Sequence, residues 1–225
     1  MQKERSGGPS AAIAAAERGQ LSTALALDVL DARGFRHQAV QCGIVPRTTT
    51  KVTVGRAKTL LWMDFAHSDP KTYILELEAV DSIAAGEMII CATGGSQRAG
   101  VWGELLTTAA QRCGATGVVT DGAVRDVALM EAMLFPVFSQ HLSAYDSFNR
   151  QKVVAYDVRV EMGGVTIDPG DLIVADRDGV AVVPAAMEEE IVAAAVDKAT
   201  REDGFRAGVR NGMSLVDAYA RFKVL

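Results

Sequence analysis

Ala115-Thr116-Gly117-Val118-Val119-Thr120-Asp121-Gly122-Ala123-Val124-Arg125-Asp126 is the stretch that decides how the chain is read. An apolar run from Gly117 to Val119 precedes Thr120-Asp121-Gly122, a second short apolar pair follows, and the segment ends on adjacent opposite charges. That order reads as a buried strand, a turn and a polar tip. Arg125 offers a planar fork of donors that can hold a carboxylate through two bonds. Asp126 offers a hard oxygen ligand suited to a divalent cation such as Mg2+ or Mn2+. The same pair could also close a strand-turn-helix connection as a surface ion pair, a contact that contributes little. The residues of the tip alone leave both readings open.

Upstream of the tip, Met88 to Ala92 reads as a buried strand, followed by Thr93-Gly94-Gly95-Ser96-Gln97-Arg98-Ala99-Gly100. This glycine loop leads through Val101 to Leu106 into a helix that runs through Arg112. Glycines let backbone amides come close to a ligand, and a loop feeding a helix N-terminus is a usable anion site. The loop has no Lys-Ser/Thr ending and no G-x-G-x-x-G, so the phosphate-loop and dinucleotide fingerprints are both missing. Downstream, Val127 to Met133 reads as a short helix, Pro136 to Phe138 as a strand, and His141 to Arg150 as a polar, irregular loop over a site.

Further out, residues 1 to 10 read as a flexible lead-in and Ala11 to Arg18 as an alanine-rich helix. A second helix starts at Ser22-Thr23 and ends at Gly34, with the hydroxyl and glycine punctuation expected of helix ends. Ile44 to Arg47 and Lys51 to Leu61 read as strands, and Tyr73 to Ile83 as a helix carrying Glu76 and Glu78. Val153 to Val160 alternates, Gly163-Gly164 turns into Val165 to Ile167, and Asp176 to Gly179 forms a hairpin turn between Leu172–Ala175 and Val180–Val183. Met187 to Arg201 is a helix opening on acidic residues and continuing towards Glu202-Asp203, and Leu215 to Phe222 is a last helical piece. The chain is expected to be α/β, with a mixed β core flanked by helices. It divides into a lead-in and helix over 1–20, an α/β domain over 21–185, and C-terminal helices over 186–225.

Composition narrows the function classes. With 225 residues, 49% hydrophobic and 23% charged, the chain is an ordinary globular sequence. A net charge of −5 with no basic run argues against nucleic acid as a partner. No apolar stretch reaches the ~18 residues of a spanning helix, and the first ten residues lack a signal-peptide core, so no membrane partner and a cytoplasmic location are expected. Cys42, Cys91 and Cys113 are scattered and odd in number, which fits free, buried thiols. His37, His67 and His141 are equally dispersed.

Several segments together resemble one family. They are Gly94-Gly95, Gly103-Glu104-Leu105-Leu106, Thr120 to Asp126, Gly163-Gly164-Val165, and Pro169-Gly170-Asp171-Leu172-Ile173-Val174-Ala175-Asp176-Arg177-Asp178-Gly179-Val180. The family holds the class II 4-hydroxy-4-methyl-2-oxoglutarate / 4-carboxy-4-hydroxy-2-oxoadipate aldolases and the regulator of ribonuclease E activity A. The likeness runs from about Ser22 to Pro184. In the aldolases an acidic residue, twenty intervening residues and then Arg-Asp form the site. Glu104 and Arg125-Asp126 keep that spacing, with Glu where Asp is usual.

The resemblance implies a β/β/α swivelling-domain fold and a pyruvate aldolase dependent on Mg2+ or Mn2+, with oxaloacetate decarboxylation as a second outcome of the same enolate chemistry. Carried across residue by residue, Asp126 would bind the metal and Glu104 would hold one of its waters. Arg125 would grip the pyruvyl carboxylate or carbonyl of a small 2-oxo acid. Gly103 and the amides of Leu105 and Leu106 would complete the anion pocket. The family assembles as homotrimers or homohexamers with sites between subunits, and Glu202 is the best match to a glutamate supplied by the adjacent subunit. A Schiff-base route would need a buried lysine, and none lies between Lys71 and Lys152.

Two positions depart from the family pattern. Aldolases commonly carry a carboxylate after Arg-Asp and two intervening residues, where this sequence has Leu129, and the loop His141-Leu142-Ser143-Ala144-Tyr145 differs from the usual Arg-Gly type. Two alternatives therefore stand beside the aldolase: a non-catalytic regulator that binds a ribonuclease, and a lyase of the same scaffold acting on another 2-oxo or hydroxy acid.

Overall fold

A computed structural model describes residues 10–225, so the lead-in expected before Ser10 lies outside the described residues. Strand alternation organises the whole architecture. In β3 (Glu87–Ala92), Met88, Ile90 and Ala92 enter one core while Ile89 and Cys91 enter another. The same period of two divides β10 (Leu172–Ala175) and β11 (Val180–Val183): Leu172, Val174, Ala181 and Val183 face one layer, and Ile173, Ala175, Val180 and Val182 the opposite one. A sheet buried on both faces needs apolar residues at successive positions, which is why these strands read as continuous hydrophobic runs.

β2 (Thr53–Asp64) is the longest strand and the pivot of the sheet. One edge of β2 pairs in parallel with β3. Its other edge pairs antiparallel with β10 at Thr53–Arg56 and, further along, with β7 (Gln151–Tyr156) at Leu60–Asp64, a pairing interrupted by a register shift between Leu61 and Trp62. β3 then continues in parallel to β5 (Gly117–Val124) and β5 to β6 (Val137–Leu142), with β1 (Val45–Pro46) at that margin. β4 (Gly100–Trp102) adds a short parallel pairing to the end of β5. A separate hairpin, β8 (Val160–Met162) with β9 (Val165–Ile167), closes over the layer containing Met88, Ile90 and Val119.

Helices cover the remaining faces. α1 (Ser10–Glu17), α2 (Thr23–Ala32) and α6 (Glu188–Arg210) bury alanines and aliphatic residues against β10 and β11. α3 (Ile74–Asp81), α4 (Glu104–Cys113) and α5 (Val127–Ala132) cover β3, β5 and β6 through Ala79, Val80, Ala110 and Met130. α7 (Leu215–Phe222) packs on α6. Ser22 caps α2 as its hydroxyl implies, accepting from the Leu25 amide at 3.2 Å. The fold is the curled, mixed sheet flanked by helices that the sequence leads one to expect.

Four local expectations need correction. Thr120-Asp121-Gly122 is not a turn, because β5 runs unbroken from Gly117 to Val124 with every residue buried. The turn-forming residues surface only as a register shift against β6 between Thr120 and Ala123, since pairing on both edges overrides local preference. Gly94 and Gly95 do adopt φ of 67° and 77°, but their loop's amides serve the scaffold. Thr93 N and Gly95 N donate to Asp121 at 2.6 and 3.0 Å, so the anion held there is the protein's own carboxylate. His141 and Leu142 belong to β6, and the irregular segment begins at Ser143. Val153 to Val160 is two strands, separated near Asp157 at φ 53°.

All three cysteines are free, and Cys91 alone is fully buried. Among the described residues no helix is long and apolar enough to cross a membrane.

Candidate functional site

The parallel pairing of β4 with β5 sets Trp102 beside Val124 and delivers Arg125 to the C-terminal end of β5, where its amide donates to the Trp102 carbonyl at 2.9 Å. Two glycines admit it. A Cβ on Gly100 would lie 3.1 Å from Arg125 Cβ, and one on Gly103 would lie 3.2 Å from Arg125 Cγ and 2.7 Å from Asp126 Oδ2. Gly103 is therefore glycine for want of space, its backbone being extended.

Asp126 takes a left-handed conformation, φ 57° and ψ 31°, at the head of α5. Its side chain does not cap that helix; Oδ2 instead approaches the Glu104 amide at 3.4 Å and Arg125 Nε at 3.5 Å. The carboxylate thus sits before the N-terminus of α4, where the helix dipole favours negative charge. The first amides of a helix find no partner within it, and here they belong to Glu104, Leu105 and Leu106, all lining one cleft with Arg125 and Asp126. The Glu104 carboxylate accepts from Thr108 at 2.9 Å.

The cleft has a volume of about 290 Å³. Besides the residues already placed, it is lined by Tyr73, Glu76 and Asp146. Asp146 Oδ2 pairs with Arg125 Nη2 at 2.9 Å, while Oδ1 accepts from the Tyr73 hydroxyl and from the Phe148 amide at 2.7 Å. Burial works against charge on Asp146, but the Tyr73 and Phe148 bonds and the Arg125 guanidinium together hold its carboxyl below the usual range. Burial, with the bond to Asp146 adding to it, pushes the Tyr73 phenol up to about 12. Glu76, 4% exposed, is pushed up to about 8 by burial, with the charge of Asp146 adding and Arg125 opposing. On the other side of Arg125 and Asp126, Leu142, Ser143 and Ala144 line a second hollow of about 360 Å³.

Arg125, Asp126, Glu104, Gly103, Leu105 and Leu106 therefore meet in one cleft. Glu202 does not join them within the chain: it lies on α6, paired with Lys198 at 3.2 Å and Arg206 at 3.5 Å. Leu129 is 57% exposed on α5 and lines neither hollow. Tyr73, Glu76 and Asp146 are the cleft residues that sequence reasoning did not single out. Glu76 carried a usable signal, because it shares the helical face of Ala79, Val80 and Ile83, which are buried, whereas Leu77 is exposed.

Among the described residues no three His, Cys, Asp or Glu side chains group as a metal cage. Asp126 and Glu104 instead present two carboxylates at an open cleft. Mg2+ keeps several waters and is held by one or two carboxylates, so this hard-oxygen pair fits a hydrated cation of that kind. It does not fit a zinc site of nitrogen and sulfur ligands.

Fold and cleft together define a β/β/α protein with a charged hollow at a helix N-terminus. The chain belongs to the RraA-like family (Aldolase/RraA), which it matches over residues 23–182. It is 30% identical over 143 residues, 64% of this chain and 68% of the relative, to the Halalkalibacterium halodurans protein named "Putative 4-hydroxy-4-methyl-2-oxoglutarate aldolase". Its fold is similar to that of Streptomyces coelicolor RraAS2, described as an unusual member of the RNase ES inhibitor RraA protein family, with a TM-score of 0.79 and 29% identity, covering 91% of this chain and 99% of that one. A solved Pseudomonas syringae protein also gives a TM-score of 0.79 at 29% identity, covering 93% of this chain and 96% of its own. Proteins named for aldolase activity and for ribonuclease inhibition thus both stand among the relatives.

Proposed function

We propose that the chain is a divalent-metal-dependent pyruvate lyase, cleaving a 4-hydroxy-2-oxo dicarboxylic acid to pyruvate by a retro-aldol step and decarboxylating oxaloacetate as a side reaction. What carries this reading is the placement of Arg125 and Asp126, a cation and a hard carboxylate, in one cleft with the N-terminus of α4.

Both reactions pass through the enolate of pyruvate, and a site that accelerates them must stabilise that charge as it develops. Arg125 binds the 2-oxo acid end of the substrate; Asp146 holds one side of its guanidinium, so the fork is positioned before substrate arrives. The amides of Leu105 and Leu106 donate to the substrate carboxylate at the helix N-terminus. Asp126 and Glu104 would hold Mg2+ or Mn2+, which would supply Lewis-acid stabilisation of the enolate. In a homotrimer or homohexamer, Glu202 on α6 would be the glutamate a neighbouring copy contributes to the cleft.

The test is pyruvate release from 4-hydroxy-4-methyl-2-oxoglutarate and from oxaloacetate, with Mg2+ and then with a chelator. Chelator-sensitive turnover that Arg125→Ala abolishes is expected. No chelator-sensitive turnover on either substrate overturns the reading.

The likeness to RraAS2 supports a second reading, a regulator that binds a ribonuclease through its surface. Ribonuclease binding that survives Arg125→Ala, without turnover on any 2-oxo acid, would favour it.

A further inference from the structure

We propose that Glu76 is the acid that delivers a proton to the enolate carbon, C3 of the pyruvyl unit, and so completes the reaction. The inference rests on the lyase reading above. Glu76 is 4% exposed, yet it lines the cleft that holds Arg125, and among the described residues its buried Oε2 has no hydrogen-bond partner. An unsatisfied buried carboxyl costs stability, and the packing of α3 against the sheet gives no reason to keep one. A substrate in the cleft would supply the missing partner.

The surrounding groups leave this role to Glu76. Arg125 faces it from the end of β5, Asp146 from the segment after β6, and Cys91 from β3. Asp146 is occupied by Arg125, Tyr73 and the Phe148 amide and is held towards its charged form, so it is a poor donor. The Tyr73 proton is committed to Asp146, and its phenol is pushed up to about 12. Burial pushes the Cys91 thiol up as well. Glu76, pushed up to about 8, holds a proton at neutral pH and can still release it, which is the requirement for a general acid.

The step balances. The C3–C4 bond of the substrate breaks and its electron pair becomes the enolate, while C4 becomes a carbonyl and the C4 hydroxyl proton passes to solvent water. The enolate pair then takes the Glu76 carboxyl proton to form the new C–H bond of the pyruvate methyl. The carboxylate left behind lies in the field of Arg125, and a solvent proton restores the acid. In oxaloacetate the leaving group is carbon dioxide and the protonation is the same.

Methyl hydrogen–deuterium exchange of pyruvate in D2O, followed by proton NMR with Mg2+ present, isolates this transfer from C–C cleavage. Glu76→Gln, which keeps the volume, is expected to slow exchange by about 100-fold or more. Pyruvate binding, read by saturation-transfer NMR, should stay within about twofold, because the lost group acts on the reacting carbon. Exchange by the unaltered protein should rise with pH and level off above about 8. Exchange by Glu76→Gln within about threefold of the parent overturns the proposal. Should that variant not fold, a flat pH profile of the parent overturns it instead. Absence of both exchange and turnover in the parent removes the lyase reading, and this proposal with it.

Discussion

Arg125 and Asp146 are joined at 2.9 Å, Nη2 to Oδ2, although one closes a strand and the other lies in an irregular segment after the next strand. Gly100 makes the meeting possible: a Cβ there would lie 2.8 Å from the Ser143 carbonyl oxygen and 3.1 Å from Arg125 Cβ, and its amide donates to the Tyr145 carbonyl at 2.8 Å. Asp146→Asn keeps the shape but removes the charge that orients the guanidinium. Misplacing a substrate-binding group by about 1 Å can cost about 100-fold, so kcat/KM for the 2-oxo acid is expected to fall by about 10- to 100-fold. Tyr73→Phe, which removes a single bond to the same carboxylate, should cost less. Steady-state kinetics on oxaloacetate decide it, and equal losses in the two variants would mean that Asp146 acts through Tyr73 and not through Arg125.

Gly103 separates space from conformation as a cause of conservation of shape at the cleft. Its backbone is extended, so Gly103→Ala meets no torsional strain, only the 2.7 Å approach to Asp126 Oδ2 and a 3.2 Å approach to Arg125 Cγ. Overpacking of this kind costs about 1–3 kcal/mol where the neighbour cannot move. Asp126 lies at a cleft and can move, so the expected loss of stability is at the low end. The carboxylate is displaced instead, and Mg2+-dependent turnover should fall by about tenfold or more. Calorimetry and turnover measured on the same preparation test this; a large stability loss with full activity would refute it.

Asp126 shows the reverse balance. A left-handed non-glycine residue stores of order 1 kcal/mol of strain, and this one gains no cap hydrogen bond in return. Asp126→Gly should therefore unfold within about 1 kcal/mol of the parent while losing metal-dependent turnover entirely. Asp126→Asn, whose side chain also tolerates this conformation, should behave alike. Urea titration paired with turnover checks both, and destabilisation of either variant by more than about 2 kcal/mol would make Asp126 a structural cap instead.

The sheet and its helices were legible because apolar runs and alternation follow directly from burial, and Ser22 announced its helix by its hydroxyl. The cleft was partly legible: Glu104 opens α4 after β4 and Arg125-Asp126 stand between β5 and α5, two strand-helix junctions that the parallel pairing of β4 with β5 brings side by side. Thr120-Asp121-Gly122 misled because turn propensity is weaker than pairing on both edges of β5. The glycine loop misled for a related reason, since its amides do bind an anion, but one supplied by Asp121 from within that strand. Tyr73 and Asp146 had no local pattern to betray them, being 73 residues apart and brought together only by the fold. Glu76 was visible only as a charge on the buried face of a helix.

That buried charge makes a prediction about stability that needs no substrate. The Glu76 carboxyl titrates near its ordinary value of 4.5 in the unfolded chain and at about 8 in the folded one, because burial outweighs the attraction of Arg125. Below 4.5 the carboxyl is neutral in both states and carries no pH-dependent cost. Between 4.5 and about 8 the unfolded chain releases the proton and the folded one keeps it, so stability falls as pH rises across that window and levels off above it. Glu76→Gln removes the titration. The variant should match the parent near pH 4.5 and become progressively more stable than it as pH approaches 8, by a few kcal/mol at the plateau. Urea unfolding of both proteins at pH 5, 6.5, 8 and 9 reads the difference directly. A difference that does not change with pH would place the Glu76 carboxyl in contact with water, with no raised affinity for its proton.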